Sequence, residues 1–352
     1  MALNFKLPFR IEVPAWLRGR AAVRKPSWSW LAPKYPPVAF DLDPKTLSMV
    51  RIGRRKQERF LASFDVEELP ADLIEIDFLK ARLTSQDRYR AIVGRMIAKE
   101  PVKFRSASLV IPDIFARVAV MPFEEMPRRR QDALDLIRYK TKKSVPFKVE
   151  EAALDFQVLH RGPGGVSVLA VLLPKSVIDD FEAVFGGFGV HAGLVELSTF
   201  SLVNSYKGVL GREMGPAAEY VVANVTATYF SFAIFRGEQL LFFRCKAFAM
   251  GTGDDGDDAC IRLLKRELQT SLLYYRDKLE GKALERVYLR VVDLDRGAVS
   301  EVFAAAPDVK SVAIIDASRV ITVNGRVTGE HGERTLQRLL PSIGAATGRG
   351  SL

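Results

Sequence analysis

The chain predicts a duplicated α/β protein of two lobes, and three observations carry that expectation. An order of three short strands, a helix and one further strand occurs twice. The two copies are separated by a stretch with its own strands and helices. The chain has 352 residues, 48% of them hydrophobic, enough to bury two ordinary cores.

In the first copy, VAFDLD (38–43), LSMVRI (47–52) and ERFLASFD (58–65) read as an antiparallel meander whose second turn is the basic segment 53–57. A helix follows over 86–99, with Tyr89, Ile92, Val93, Met96 and Ile97 at helical spacing. Residues 109–120 read as one β-rich run that closes at Pro122. Beyond Pro127, Ala133, Leu134, Leu136 and Ile137 give a helix its apolar side. Arg138, Lys140, Lys142 and Lys143 suit the negative end of its dipole, and Pro146 stops it before a strand at 154–159. VSVLAVLLP (166–174) is a further strand. The helix after it is expected to start at Ser176 with a Ser176/Asp179 capping box, to line up Val177, Phe181, Val184, Phe185 and Phe188, and to end at Gly189.

The second copy reads VVANVT (221–226), TYFSFAIF (228–235) and QLLFFR (239–244), with Arg236, Gly237 and Glu238 in the turn between the last two. A long helix carries Leu264, Leu268, Leu272, Tyr275 and Leu279, and RVYLRVV (286–292) is the closing strand. RTLQRLLPSIGAATG (334–348) reads as a last helix.

The charge balance is +10, from 52 Lys+Arg against 42 Asp+Glu, which favours an anionic partner surface. The excess is local: seven cations face only Glu12 within residues 1–34, and Arg51, Arg54, Arg55, Lys56 and Arg59 follow soon after. That first segment is rich in Pro and Arg, lacks a sustained period, and holds Trp16, Trp28 and Trp30, so it reads as an arm. No apolar run approaches the roughly 20 residues that span a bilayer, and no signal-peptide pattern is present, so neither a membrane span nor secretion is expected. Cys245 and Cys260 are too few for a disulfide framework and have no metal-ligand spacing, which fits a reducing cytoplasm.

Four pieces in order, Ile111-Pro112-Asp113, Met121-Pro122, the segment 144–147 and DFQVL (155–159), resemble the actin-like PilM proteins of type IV pilus assembly, relatives of the division protein FtsA. LKRELQTSLLYYRD (264–277) is similar to another helix of that family. The resemblance runs from about Tyr35 to the C-terminus. It implies an α/β fold of the duplicated actin-like (RNase-H-like) two-lobe ATPase type, with a small α+β insert of the kind that FtsA and PilM carry. The implied division is an arm at 1–34, a first lobe at 35–113, the insert at 114–194, and a second lobe with its closing helix at 195–352.

The resemblance also places a nucleotide site. Actin-like ATPases use two hairpin loops led by Asp and small residues, so that backbone amides approach phosphate while carboxylates hold the water shell of Mg²⁺. Here the first loop keeps Asp41 and Lys45 but has Asp43 at the usual glycine, where a second carboxylate repels phosphate. The second has Asn224 at the usual Asp and Thr226 at the usual Gly. A strand-end turn with an Asp41–Lys45 ion pair is the plainer reading of the first. In the third element, 288–295, no glycine precedes Gly297, and β-branched side chains are expected to fill the volume left for base and ribose. Asp41, Lys45, Asn224 and Thr226 are therefore at most a residual nucleotide site. The expectation is no cofactor, with ATP and Mg²⁺ as the alternative, and no catalysis.

Other motifs offer less. The segment GTGDDGDD (251–258) is too acidic for phosphate and lacks EF-hand spacing, so it reads as a loop leading into a helix near Ala259. His160, His191 and His331 form no catalytic set. MALNFKLPFR (1–10) resembles the peptide by which the membrane protein PilN docks on PilM, with Asn4 fixing register and Phe5, Leu7 and Pro8 filling pockets, which implies an arm able to dock on its own chain or a neighbour. The plainer reading is a disordered basic tail. Trp16, Trp28 and Trp30 with Arg18 and Arg20 suit the headgroup level of an anionic inner membrane. Nucleic acid is not expected, because aromatics are not interleaved with the basic run near Gly53.

The implied function is a non-catalytic cytoplasmic scaffold, peripheral to the inner membrane, that links a PilN-like membrane protein to pilus motor and platform components. The alternative is an ATP-binding switch whose nucleotide state controls partner binding in pilus or type II secretion assembly.

Overall fold

The computed structural model describes residues 35–56, 58–76, 81–248, 256–323 and 329–348. Two five-stranded sheets share one plan. In the first, β1 (Val38–Asp43), β2 (Thr46–Arg55) and β3 (Glu58–Glu68) form the meander. A ribbon of β4 (Ile74–Ile76) and β5 (Ala81–Leu83) follows, and then α1 (Gln86–Lys99) and β6 (Ser106–Ile111), which lies parallel to β1. The second sheet repeats this with β11 (Glu219–Thr226), β12 (Tyr229–Arg236), β13 (Gln239–Ala247), α5 (Gly256–Leu279) and β14 (Arg286–Val292), which lies parallel to β11. Both sheets gain an outer parallel strand, β10 (His191–Leu197) in the first and β15 (Val312–Ile314) in the second, reached in the latter through α6 (Arg296–Ala304).

Between β6 and β10 the chain builds a separate three-stranded sheet, in which β9 (Gly165–Pro174) lies between β7 (Arg117–Phe123) and β8 (Ala152–Gly162). Successive side chains of β9 face opposite ways. Val168, Ala170 and Leu172 pack with Ala133 and Ile137 of α2 (Arg130–Thr141), while Leu169, Val171 and Leu173 join Val177, Phe181 and Phe185 of α3 (Lys175–Gly186) in the first-lobe core.

The residues 109–120 are not one strand. Pro112 interrupts them, a 3₁₀ turn follows at Asp113–Phe115, and β7 belongs to the small sheet with Pro122 inside it. The expected Ser176/Asp179 capping box is absent as well. The helix starts one residue earlier, at Lys175 after Pro174, with no side-chain cap, and Gly189 takes a φ of +70° just past its end. The basic segment 53–57 is mostly strand, because β2 and β3 run on to pair Arg55 with Glu58.

The first lobe is also not contiguous in sequence. β10 runs to Leu197 in the first sheet, across the expected boundary after residue 194. The closing helix α7 (Gly329–Thr347) packs through Leu339, Ile343 and Ala345 on Ala39, Val50 and Val110 of that same sheet. α4 (Ser198–Glu213) lies between α7 and the second sheet, and Gly344 is the contact point: a Cβ there would collide with the backbone carbonyl of Ser201.

Candidate functional site: a polar cluster between the hairpins

The β1–β2 and β11–β12 turns, with the carboxyl ends of β6 and β14, converge on a cluster of buried polar groups. In the second turn, Asn224 is fully buried, and its amide donates to Ser198 Oγ at 3.1 Å. Thr226 Oγ1 accepts from the backbone N–H groups of Thr228 and Tyr229, both at 3.2 Å. In the first turn, Asp43 Oδ1 accepts from the backbone N–H of Lys45 at 3.1 Å. Each hairpin therefore uses a side chain of its own to satisfy backbone amides of the kind an anion would need.

Arg290, from the middle of β14, is only 2% exposed. Its Nη1 donates to Asn224 Oδ1 at 2.7 Å, its Nε to the carbonyl of Gln337 at 2.7 Å, and its Nη2 to the carbonyl of Arg338 at 3.2 Å. The Gln337 carbonyl is available for a sequence reason. Its helical donor would be residue 341, and Pro341 has no N–H. The proline inside α7 thus presents an acceptor to an arginine from the second sheet, joining the lobe that holds β14 to the helix that covers the first sheet.

Asp113, just after β6, is fully buried as well. Its carboxylate accepts from the backbone N–H of Thr199 at 3.1 Å, from the Thr199 hydroxyl and from Ser231 Oγ at 2.6 Å. Its Oδ1 caps the N-terminal turn of α4, and its Oδ2 joins the Thr199 hydroxyl to Ser231 of β12. Burial raises its pKa, and the hydroxyl and N–H donors oppose that rise. Asp41 has no such set of donors. Burial pushes it up to about 8, with the charge of Arg290 pulling the other way and Asp43 and Asp113 adding to the rise. Burial raises Asp43 too.

The sequence-predicted residues do not converge as a working nucleotide site. Asp41 is buried while Lys45 is exposed, and the expected ion pair between them does not form. Asn224 and Thr226 are together, but bonded to the protein itself. A guanidinium stands beside the carboxylates, where it would repel Mg²⁺, so the donor set does not fit a Mg·nucleotide. Among the described residues no group of three His, Cys, Asp or Glu side chains could hold a metal ion. Another expectation is overturned: the turn after β14 is not filled. A cavity of about 600 Å³ opens there, lined by residues 291–297 with Asp257, Arg334 and Arg338. Asp293 takes the left-handed φ of +60° that glycine would supply, and Asp295 caps α6 through the N–H of Ala298 at 2.6 Å. His160 and His191 are exposed on separate elements. The arm residues Asn4, Phe5, Leu7, Pro8, Trp16, Arg18, Arg20, Trp28 and Trp30 lie outside the described residues.

Arg290, Asp113 and the Gln337–Pro341 step are the residues that sequence reasoning missed. Arg290 within the otherwise apolar stretch 287–292 and a proline inside a helix were the available signals.

A family model described as type IV pilus assembly protein PilM matches residues 40–254, more than half of the chain. This chain belongs to the PilM family. The structure titled "PilM-PilN type IV pilus biogenesis complex" superposes with a TM-score of 0.72 at 16% identity, over 90% of this chain and 98% of that one, which establishes the shared fold. The two-lobe actin-like architecture and the small α+β insert are thus those of PilM. Weaker likenesses include a Bacteroides thetaiotaomicron protein with an actin-like ATPase fold, at TM-score 0.48, 11% identity, and 82% and 93% coverage of this chain and that one. The cytoplasmic domain of EpsL of the Vibrio cholerae type II secretion system follows at 0.41, 10%, 86% and 94%. No curated protein matches the sequence. No helix among the described residues is long and apolar enough to cross a membrane.

Proposed function

We propose that this PilM-family protein is a non-catalytic cytoplasmic scaffold of the type IV pilus assembly platform. It docks the N-terminal peptide of a PilN-like membrane protein and links it to pilus motor and platform components. The observation that carries the non-catalytic part is that Asp43 and Thr226 already satisfy amides of both hairpins, while Arg290 supplies the cation beside the carboxylates. The likeness to PilM in the PilM–PilN complex supports the partner. Titrating the N-terminal peptide of a PilN-like protein into the purified chain tests the scaffold: binding is expected, with the same affinity whether or not Mg·ATP is present. No binding, or an affinity that follows the nucleotide, would contradict it.

The cavity of about 600 Å³ beyond β14 favours a second reading, an ATP-binding switch in pilus or type II secretion assembly. Under that reading Mg·ATP alters the peptide's affinity. The arm adds two proposals of its own. Residues 1–10 compete with the partner peptide for its site, so their deletion strengthens peptide binding, and unchanged affinity would sink the competition. Trp16, Trp28 and Trp30 with Arg18 and Arg20 hold the protein peripherally against an anionic inner membrane, which flotation with anionic vesicles at low salt checks.

A further inference from the structure

The end of the first sheet opposite the polar cluster carries a concentration of cations that the fold itself does not use. β2 and β3 extend past their neighbours as a hairpin, in which Arg54 stands directly opposite Arg59 in the register. Like charges so placed destabilise a strand pair. Burial and the charge of Arg54 both lower the pKa of Arg59. Arg54, Arg55 and Lys56 are exposed beside it, and Lys56 takes a φ of +55°. None of these four has an ion-pair partner among the described residues. By contrast, Arg51, a few residues earlier, is paired with Glu100 at 2.7 Å.

The loop before β6 belongs to the same end. β1 begins at Val38 opposite Arg51, β6 runs parallel to β1, and Arg51 also donates to the carbonyl of Val102. This loop adds Lys103 and Arg105, both exposed and likewise without an ion-pair partner, and Val102, a large apolar side chain left 55% exposed. Glu58 is an exposed carboxylate at the tip of the hairpin. The chain enters the fold here too. The N–H of Ile52 donates to the carbonyl of Pro37 at 2.8 Å, so residues 1–34, with seven cations, one carboxylate and all three tryptophans, join the fold beside the basic hairpin.

We infer that this end of the first lobe, centred on Arg54, Arg55, Lys56, Arg59, Lys103 and Arg105, is a contact face for an anionic lipid bilayer. The inference rests on the peripheral membrane reading and assigns a folded surface to it. Charge complementarity selects an anionic occupant. A bilayer is favoured over a compact acidic ligand because the cations spread over a hairpin tip and a neighbouring loop, with an exposed apolar side chain and a Trp-bearing segment attached at the same end. On this geometry the polar cluster points away from the membrane.

Vesicle co-sedimentation of the full chain tests it, using phosphatidylcholine vesicles with and without 30% phosphatidylglycerol at low salt, alongside a triple variant carrying Arg54→Gln, Lys56→Gln and Lys103→Gln. The three positions are exposed, so a thermal melt that matches the parent shows that the variant is folded. The parent is expected to bind only the anionic vesicles, and the variant about a hundredfold more weakly, since each basic residue near such a surface contributes on the order of a fivefold gain. A parent that binds while the variant binds equally well overturns the folded face and leaves the arm as the anchor. A parent that ignores anionic vesicles overturns the membrane reading as a whole. Retention on DNA that the triple substitution abolishes, in a parent that ignores vesicles, would assign the face to nucleic acid instead.

Discussion

The two lobes treat the same hairpin differently. The β1–β2 turn keeps two carboxyl groups: Asp41, buried and pushed up to about 8, and Asp43, half-buried and accepting from the N–H of Lys45. The β11–β12 turn has lost its carboxylate and is closed on itself by Thr226, with Asn224 bonded to Arg290 and Ser198. One turn keeps its carboxyl groups and the other is closed by its own hydrogen bonds, with Arg290 bonded to Asn224 of the second and its charge acting on Asp41 of the first. Beside the cavity of about 600 Å³ beyond β14, the buried polar groups bond across the two lobes through Arg290 and Asp113.

Removing the element the two hairpins share should have the largest effect. Arg290→Ala strands Asn224 Oδ1 and the Gln337 carbonyl and deprives Asp41 of its nearby positive field. A loss of about 3–5 kcal/mol is expected, read by urea unfolding. A loss below about 1 kcal/mol would mean that Arg290 joins nothing.

Protonation sharpens the contrast next. Because the folded state raises Asp41 from 3.8 to about 8, it holds this proton where the unfolded chain has released it. The stability associated with the proton is complete below about pH 4 and is lost as pH rises to about 8. Asp41→Asn should match the parent near pH 4 and exceed it at pH 8 by roughly 5 kcal/mol. Glu196, which burial pushes up to about 7, acts in the same direction and leaves a residual slope in the variant. An Asp41→Asn variant whose pH–stability curve overlays the parent's would contradict the assignment.

Two smaller substitutions separate the turns. Thr226→Val keeps the shape but leaves the Thr228 and Tyr229 N–H groups without their acceptor, costing about 1–3 kcal/mol in the second lobe. Lys45→Ala, at an exposed tip, should change stability by less than about 0.5 kcal/mol. A large effect there would show that the lysine serves the fold.

Much of the architecture was legible because its signals are local. The α1 span was read from Tyr89, Ile92, Val93 and Met96, and the β14 span from the apolar residues of 287–292, broken only by Arg290. The breaks were set by distant partners. The chain leaves the first sheet at Pro112 to pair as β7 with β9, about fifty residues further on, and α7 returns from the far end of the sequence to pack on Ala39, Val50 and Val110; periodicity records neither. In the candidate site, Asp41, Asp43, Asn224 and Thr226 were legible as loop positions, while the bonds made there by Arg290 and Asp113 were not. That Arg290 finds an acceptor depends on Pro341 removing one N–H about fifty residues later, a relation visible only in three dimensions.

The central claim is that internal groups have taken over the polar cluster between the hairpins. Calorimetric titration of Mg·ATP into the purified chain tests it most directly. No detectable heat, together with no displacement of a fluorescent nucleotide analogue, is the predicted result. Binding in the micromolar range would contradict the claim and make Asp41, Lys45 and Asn224 parts of a working site.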